Sequence, residues 1–320
     1  MTPSLSRPAG AALETHDLAK RYGSTVALAG LSMTVEHGEV FGFLGPNGAG
    51  KTTAIKLLLG LARPTGGSGT LLGAPLGDRA VRRRVGYLPE LFRYQPWLQA
   101  REVLRLHCEL AGLARPTWPA EVGAALRTVG LEDRADDRVA AFSKGMQQRL
   151  GLAVALLGRP EIVFLDEPTS ALDPMGRVDV RNVILEARAA GMTVFLNSHL
   201  LTEVEKVCDR VAFVDRGRVV SAGRLEEVLG EPAVRLRVSG LDAAGEAALG
   251  TFGPVARDGE WLVIRPLAPE HVPDVVETVV RHGGRVHAVD PGRASLEDRF
   301  LALMAGPDPS RGDDRPTTAA

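Results

Sequence analysis

The residues most clearly suited to a chemical role form a glycine-rich stretch, Gly45-Pro46-Asn47-Gly48-Ala49-Gly50-Lys51-Thr52. Its spacing, G-x-x-x-x-G-K-[ST], is typical of a phosphate-binding loop between a strand and a helix. The glycines allow backbone N–H groups to turn inward around phosphate oxygens, and the helix N-terminus adds positive potential. Lys51 can reach the β- and γ-phosphates of a nucleotide, and Thr52 can offer its hydroxyl to Mg²⁺. A glycine-rich turn that binds nothing is the less favoured alternative, because the strand and helix context is also present.

Two adjacent carboxylates, Asp166 and Glu167, follow the apolar run Ile162–Leu165. Open α/β sheets bind ligands at the carboxyl ends of their strands, so this pair is predicted to lie beside the glycine-rich loop. Asp166 can hold Mg²⁺ directly or through a water molecule, and Glu167 can polarise a water for attack on the γ-phosphate. A solvated acidic pair is the alternative, and the presence of the loop favours the functional interpretation.

Short apolar runs alternate with helical patterns between residues 13 and 229, which predicts an α/β domain. Val40–Leu44, Ile162–Leu165 and Thr193–Leu196 are continuously apolar, as expected for strands of a sheet covered on both faces. A helix is expected after Lys51, because Ile55, Leu58 and Leu59 follow at helical spacing. Further helices are predicted over Glu102–Ala111 and Met146–Leu157.

The pattern changes near Glu231-Pro232, which predicts a small α+β module over residues 230–305. Val234–Val238 alternates as a half-buried strand does, and Trp261–Ile264 and Val286–Val289 are further strand candidates. Ser295 and Asp298 have the spacing of a helix start. A helical stripe is predicted from Val272, Val275, Val276, Val279 and Val280. Residues 1–12 and 306–320 are predicted to be a disordered lead-in and a disordered tail.

Composition excludes several classes of protein. The 320 residues carry a net charge of −1, so no global basic field indicates nucleic acid. The longest apolar run, Leu150–Gly158, is shorter than the roughly 20 residues of a membrane-spanning helix. The two cysteines are compatible with a reducing compartment, and no Cys/His cluster has metal-site spacing. We therefore expect a soluble, cytoplasmic chain of about two domains.

Five further motifs accompany the loop and the acidic pair in a fixed order. They are Arg21-Tyr22-Gly23, Gly86-Tyr87-Leu88-Pro89-Glu90, Phe142-Ser143-Lys144-Gly145-Met146-Gln147-Gln148-Arg149, Ser170-Ala171-Leu172-Asp173 and Asn197-Ser198-His199. Together the motifs resemble those of the ATP-binding-cassette (ABC) ATPases over residues 13–229. The resemblance implies a P-loop NTPase fold with a helical subdomain, followed here by the α+β module.

The resemblance also implies roles for individual residues, with ATP and Mg²⁺ as cofactors. Glu167, His199 and Lys51 take the catalytic positions. Thr52, Glu90 and Asp166 take the metal positions. The nucleotide-binding positions fall on Tyr22, Gly45, Asn47, Gly48, Ala49, Gly50, Lys51, Thr52, Thr53, Ser143, Gly145 and Asp173. For several of these an ordinary structural role is the alternative: core packing for Tyr22, helix capping for Ser143 and a turn for Asp173.

Three positions depart from the usual family pattern. Lys144 replaces a glycine and Met146 a glutamine in the signature, whereas Ser143 and Gly145 remain. Glu90 replaces a glutamine, so this position can still ligate Mg²⁺ but cannot donate an amide hydrogen bond. Such variants are similar to the ABC-2 type exporter branch, as is the C-terminal stretch from Ser295 to Leu303.

The resemblance implies partners as well. A second cassette copy would supply its signature to the phosphate loop, and a separate transmembrane permease subunit would dock near Glu102–Gly130, at the inner face of the membrane. The alternatives are an importer ATPase and a soluble ABC ATPase acting on nucleic acid or ribosomes. Ser143 follows Lys51 by 92 positions, which leaves no room for the long coiled coil of DNA-repair members. A GTPase is disfavoured because no Asn-Lys-x-Asp motif is present. We expect the C-terminal module to be a dimerisation or stabilising appendage, with regulation of the cassette or of the membrane partner as the alternative.

Overall fold

The computed structural model describes residues 10–170, 172–292 and 295–304. The chain forms two compact units that divide between Arg224 and Leu225, a few residues before the predicted boundary at 229/230. The predicted lead-in and tail lie outside the described residues except at positions 10–12. Ala12, which the sequence assigns to the lead-in, is instead buried, and its N–H donates to the Val35 carbonyl oxygen at 2.8 Å.

The first unit contains two sheets. Its strands are β1 (Leu13–Tyr22), β2 (Thr25–Val35), β3 (Val40–Leu44), β4 (Gly66–Leu71), β5 (Ala74–Pro75), β6 (Val85–Leu88), β7 (Ile162–Asp166), β8 (Thr193–Asn197), β9 (Arg210–Asp215) and β10 (Arg218–Arg224). Over the described residues, one sheet has the order β10-β9-β3-β8-β7-β6 and the other the order β2-β1-β4-β5. Strands β9, β3, β8, β7 and β6 are parallel, so their carboxyl ends meet at one edge.

The three apolar runs identified in the sequence are the central strands β3, β7 and β8, and every residue in them is buried. The Phe195 ring lies 5.0 Å from Phe164, 5.2 Å from Phe43 and 5.8 Å from Phe41, between ring centroids. Apolar and polar residues do not alternate along these strands, because both faces of the sheet are covered.

The helices of the first unit pack against the parallel sheet or against one another. They are α1 (Lys51–Leu58), α2 (Ala100–Leu110), α3 (Trp118–Thr128), α4 (Lys144–Ala155), α5 (Pro174–Ala189) and α6 (Leu201–Val204), with short 3₁₀ helices at Ala80–Arg84, Arg115–Thr117, Glu132–Arg134 and Val139–Ala141. Helices α2, α3 and α4 pack against one another, and we call the segment that contains them the helical subdomain. Helix α4 begins two residues before the predicted start, because Ser143 caps it. Among the described residues, no helix has the length and apolar character needed to cross a bilayer.

The second unit is a small α+β module, as expected. Its elements are α7 (Leu225–Leu229), β11 (Ala233–Ser239), α8 (Ala243–Leu249), β12 (Val255–Asp258), β13 (Trp261–Ile264), a 3₁₀ helix (Pro269–His271), α9 (Val272–Arg281), β14 (Arg285–Gly292) and α10 (Leu296–Met304). The antiparallel sheet has the order β12-β13-β11-β14 within the described residues. Val275 and Val279 enter its core, whereas Val280 is 60 % exposed. The sequence prediction was therefore wrong to include Val280 in the buried stripe of valines.

Candidate nucleotide-binding and catalytic site

The glycine-rich loop connects β3 to α1 and curls around its own lysine. Lys51 Nζ donates to the carbonyl oxygens of Gly45 at 2.8 Å and Pro46 at 3.1 Å. Gly50 precedes the helix with φ of 99°, and a Cβ there would lie 2.4 Å from the Ala27 carbonyl oxygen. Only glycine satisfies both the left-handed conformation and this close approach. The loop thus presents backbone N–H groups and an ammonium at a helix N-terminus, which is an anion-binding arrangement.

A cleft opens beside this loop, with a volume of about 520 Å³. It is lined by Thr25, Val26, Ala27, Asn47, Gly48, Gly50, Lys51, Thr52, Thr53, Glu90, Glu167, Asn197 and His199. Most of the phosphate-loop residues predicted from the sequence lie in this lining, together with Glu90, Glu167 and His199. The structure therefore brings the loop, Glu167 and His199 to one cleft, whereas Asp166, the other member of the acidic pair, is not among the lining residues.

The acidic pair lies at the end of β7, beside the end of β8. Asp166 and Asn197 are register partners on these strands, and Asn197 Nδ2 donates to Asp166 Oδ1 at 2.5 Å. The Glu167 backbone N–H donates to the Asn197 carbonyl oxygen at 2.9 Å. Glu167 has a φ of 54°, a left-handed conformation that non-glycine residues seldom adopt. Such strain persists where surrounding contacts over-determine the backbone, and it is frequent at functional sites.

His199 completes the contacts of the acidic pair. Its Nδ1 lies 2.7 Å from Glu167 Oε2. Burial raises the pKa of the Glu167 carboxyl, and the facing His199 opposes this rise. A carboxylate that is desolvated, hydrogen-bonded and open to the cleft has the character of a general base.

Charge at the base of the cleft is divided between one ammonium and several carboxylates. Burial lowers the pKa of Lys51, and this is opposed first by Glu167, then by Asp166 and Glu90. Burial also raises the pKa of Asp166, which the hydrogen bond from Asn197 opposes. Tyr87 lies near the same carboxylates, and its pKa is raised to about 12, mainly by burial.

The donor set suits Mg²⁺ bound together with a nucleotide. Within the described residues, no three His, Cys, Asp or Glu side chains are grouped as a metal site. Mg²⁺ commonly uses only one or two carboxylates, several waters and the phosphate oxygens of its substrate. Thr52 and Glu90 line the cleft, and Asp166 lies at the end of β7 with one carboxylate oxygen hydrogen-bonded. These hard oxygen donors fit the ion.

Tyr22 lies at the rim of this region, at the hairpin between β1 and β2. It pairs in register with Thr25, and Thr25, Val26 and Ala27 line the cleft. The ring is 50 % exposed, and Lys20 Nζ lies 4.9 Å from its centroid. Core packing therefore does not explain Tyr22, and an exposed aromatic face remains available for a base.

The signature residues lie away from the phosphate loop of their own chain. Ser143 caps α4, and its Oγ accepts a hydrogen bond from the Met146 backbone N–H at 3.2 Å. Asp173 caps α5 in the same manner, with its Oδ1 accepting from Gly176 N–H at 2.8 Å. A Cβ at Gly145 would lie 3.4 Å from a Leu172 side-chain carbon. The capping roles are thus present, and neither Ser143, Gly145 nor Asp173 lines the cleft.

Two further residues support the site and were not identified from the sequence. Asn197 contacts both members of the acidic pair, as described above. Gln148 is buried on α4, and its Nε2 donates to the Pro168 carbonyl oxygen at 3.0 Å, just after Glu167. Both residues stood within motifs that were interpreted for other residues, Asn197 beside His199 and Gln148 in the signature, and Asn197 also ends an apolar run.

These features define a class of protein. A phosphate loop between a parallel strand and a helix, facing an acidic residue at the end of another parallel strand, is the arrangement of a P-loop nucleoside triphosphatase.

Comparison with known proteins identifies the family within this class. A family model described as ABC transporter matches residues 28–170. An uncharacterized ABC transporter ATP-binding protein of Nostoc sp. is 42 % identical over 92 % of this chain and 90 % of its own length. The chain therefore belongs to the ABC transporter ATP-binding proteins, whose cassettes bind and hydrolyse ATP.

Other relatives have more specific names. The Nod factor export ATP-binding protein I of Cupriavidus pinatubonensis is 39 % identical, over 68 % of this chain and 68 % of its own length. The linearmycin resistance ATP-binding protein LnrL of Bacillus subtilis is 32 % identical, over 76 % of this chain and 80 % of its own. Among solved structures, an ATP-binding subunit of an ABC transporter is 33 % identical with a TM-score of 0.62, covering 68 % of this chain and 91 % of that one.

Proposed function

We propose that this chain is the ATP-hydrolysing subunit of an exporter and acts on a separate membrane permease. The observation that carries the catalytic part is the contact between Glu167 Oε2 and His199 Nδ1, at 2.7 Å beside the phosphate loop. The export direction is supported by two relatives, one named for Nod factor export and the other for linearmycin resistance.

The phosphates of ATP would be held by the glycine-rich loop. Lys51 would exchange its contacts with the Gly45 and Pro46 carbonyl oxygens for the β- and γ-phosphate oxygens. Tyr22 would stack on the adenine at the rim. Thr52, Glu90 and Asp166 would hold Mg²⁺, directly or through water. When bound, this ion neutralises charge on the β- and γ-phosphates.

Hydrolysis would depend on the acidic pair. Glu167 would orient the attacking water and accept its proton, since it faces the cleft and is desolvated. His199 would fix the Glu167 carboxylate on one side and stabilise charge on the transferring phosphoryl group on the other. The backbone of Asn47, Gly48, Ala49 and Gly50, with Thr53, would keep the phosphates in line.

The test of this mechanism is the Glu167→Gln variant. It keeps the shape of the side chain and removes the base, so ATP turnover should fall by roughly 100-fold or more while ATP binding persists. Steady-state hydrolysis and nucleotide titration on the same preparation measure both. Undiminished hydrolysis by the variant would remove Glu167 from the role of base.

A second copy of the chain would complete the site. Ser143 and Lys144 are exposed at the N-terminus of α4, where helix N–H groups can receive a γ-phosphate. Gly145 and Asp173 would lie at the same interface. In this arrangement each phosphate loop is closed by the signature of the other copy, and loss of the γ-phosphate opens the dimer.

Mixing two inactive variants tests the shared site. Lys51→Ala damages the phosphate loop, and Ser143→Asp keeps a good N-cap but places negative charge where the phosphate would bind. A mixed dimer of these variants has one intact site, so ATPase activity should return on mixing. A mixture of Lys51→Ala with Glu167→Gln is the matched control, because both of its sites remain damaged. If neither mixture regains ATPase activity, the result would contradict a site shared between copies.

The permease would dock on the helical subdomain. Leu91 is 87 %, Trp97 67 % and Leu110 72 % exposed, and large exposed apolar side chains indicate an interaction surface. Docking would hold the chain at the inner face of the membrane.

Leu110→Glu should abolish co-purification with a co-expressed permease and leave ATP binding intact. Uptake rather than efflux by the reconstituted pair would favour an importer, and co-purification with ribosomes or nucleic acid would favour the soluble alternative.

A further inference from the structure

Asn197 contacts both members of the acidic pair through different groups. Its side-chain Nδ2 donates to Asp166 Oδ1 at 2.5 Å, and its backbone carbonyl oxygen accepts from the Glu167 N–H at 2.9 Å. The register of β7 and β8 places Asn197 directly opposite Asp166. One residue therefore sets the positions of both carboxylate-bearing residues.

The other side-chain atom of Asn197 is left without a partner. Its Oδ1 is buried and accepts no hydrogen bond from the residues that the structure describes. A buried amide oxygen without a donor is unfavourable, so a donor is expected when the site is in use. Asn197 is also one of the residues that line the cleft, so a group bound in the cleft can supply this donor once the site adjusts to admit it to the buried Oδ1.

The orientation of the amide follows from charge. Turning the amide over would place Oδ1 against Asp166 Oδ1 at 2.5 Å, and two acceptors at that separation repel each other. The nitrogen thus faces the carboxylate, and the oxygen remains the group to be satisfied. The bond engages one of the two Asp166 oxygens and leaves the other for a different partner.

We propose that Asn197 is a positioning residue for the metal ion. Its Nδ2 orients the Asp166 carboxylate, and its Oδ1 accepts a hydrogen bond from a water held by Mg²⁺ bound with the nucleotide. Mg²⁺ retains several waters in nucleotide sites, and such waters are strong donors. Partners one shell out from a metal orient its ligands and tune its affinity. This inference rests on the proposed role of Asp166 in holding Mg²⁺.

The experiment measures Mg²⁺ affinity rather than turnover. The full chain is saturated with ADP, Mg²⁺ is titrated, and ADP affinity is measured separately in EDTA. Asn197→Leu keeps the branching at Cγ and has no polar atoms, so the apparent dissociation constant for Mg²⁺ should rise about 10- to 100-fold. ADP affinity in EDTA should stay at the wild-type value, because the phosphate loop is untouched.

A matched substitution and the wild type separate the possible outcomes. Asn182 is exposed on α5, and Asn182→Leu should leave the Mg²⁺ constant unchanged. A folded Asn197→Leu variant with the wild-type constant overturns the inference while the proposed function stands. A wild-type chain whose ADP affinity does not respond to Mg²⁺ removes the proposed metal role itself.

A second variant covers the case in which Asn197→Leu does not fold. Threonine suits a strand, and its hydroxyl ends one bond closer to the backbone than the asparagine amide. Asn197→Thr should therefore also raise the Mg²⁺ constant, and a wild-type constant in this variant overturns the inference. In steady-state kinetics, the Mg²⁺ concentration for half-maximal activity should rise more than the maximal rate falls.

Discussion

His199 Nδ1 and Glu167 Oε2 lie 2.7 Å apart, just beyond the ends of the neighbouring strands β8 and β7. The Glu167 side chain is only 9 % exposed, whereas His199 is 55 % exposed. The contact therefore joins a carboxylate held by the core to a histidine that still reaches the cleft. This asymmetry suits a base that must stay fixed and a partner that also reaches the phosphate.

The first prediction concerns His199. Replacing it with alanine removes the partner of Glu167 and the group proposed to stabilise the transferring phosphoryl group, so kcat should fall roughly 10²- to 10⁴-fold. Nucleotide affinity should change little, because the phosphate loop is intact. Steady-state ATPase assays and nucleotide titration measure the two effects. His16→Ala, at an exposed position on β1, is the control, and an unchanged kcat in His199→Ala would reject the assigned role.

The second prediction concerns Lys51. Its ammonium should donate to phosphate oxygens, and a charged hydrogen bond contributes about 1.5–3 kcal/mol, so Lys51→Ala should weaken ATP binding roughly 10- to 100-fold. Isothermal titration with ATP measures this. Lys56→Ala is a matched control, because Lys56 lies on the same helix and is exposed. Equal affinity of the Lys51 variant and the wild type would contradict the phosphate-loop assignment.

The parts of the site that the sequence predicted are local in origin. The loop from Gly45 to Thr52 depends on glycines at fixed spacing, and Asp166 and Glu167 end a strand that is apolar throughout. Each signal is contained within about ten consecutive residues and needs no knowledge of packing. The same holds for the capping of α4 by Ser143 and of α10 by Ser295 and Asp298.

The parts that the sequence did not predict arise from packing between distant segments. Asn197 matters because β8 lies beside β7 in one register, and a single sequence does not state that register. Thr25, Val26 and Ala27 line the cleft because Gly50 packs against that strand. Val280 follows the helical spacing of the stripe on α9 yet is exposed, whereas Val275 and Val279 are in the core, and a single sequence does not state how far round the helix the core extends.

The third prediction concerns Gln148. Its amide holds the Pro168 carbonyl oxygen from α4, so Gln148→Leu leaves that oxygen without its donor beside Glu167. Loss of a buried hydrogen bond costs about 1–3 kcal/mol, so the melting temperature should fall. Because the catalytic loop is released, kcat should also fall while nucleotide affinity stays near wild type.

Gln147→Leu is the comparison for this prediction. Gln147 Nε2 donates to the Phe142 carbonyl oxygen at the start of its own helix, so its loss does not reach the Glu167 loop. Calorimetry and ATPase assays on both variants should show lower kcat only for Gln148→Leu. Equal kcat in the two variants would mean that Gln148 has a purely structural role.

The fourth prediction concerns the acid side of the pH–stability curve. His107 lies on α2, with its ring edge-on to Tyr94 and 5.7 Å between centroids. Burial lowers the pKa of His107. The unfolded chain takes up this proton near pH 6.5, whereas the folded chain takes it up only at lower pH. Over that window the unfolded state binds more protons, so stability falls as pH decreases.

Removing the titrating ring should reduce this loss of stability. His107→Gln keeps a polar side chain of similar length, and its free energy of unfolding should fall less than that of the wild type between about pH 7.5 and about pH 5.5. Denaturant unfolding at both pH values measures the difference. His16→Gln, at an exposed position in the same unit, is the control for the loss of a histidine. If His107→Gln keeps the wild-type pH dependence of stability, the acid sensitivity of the first unit arises from other groups. The buried carboxylates Asp166 and Glu167 are not among them, because raised pKa values in the folded state make stability rise as pH decreases.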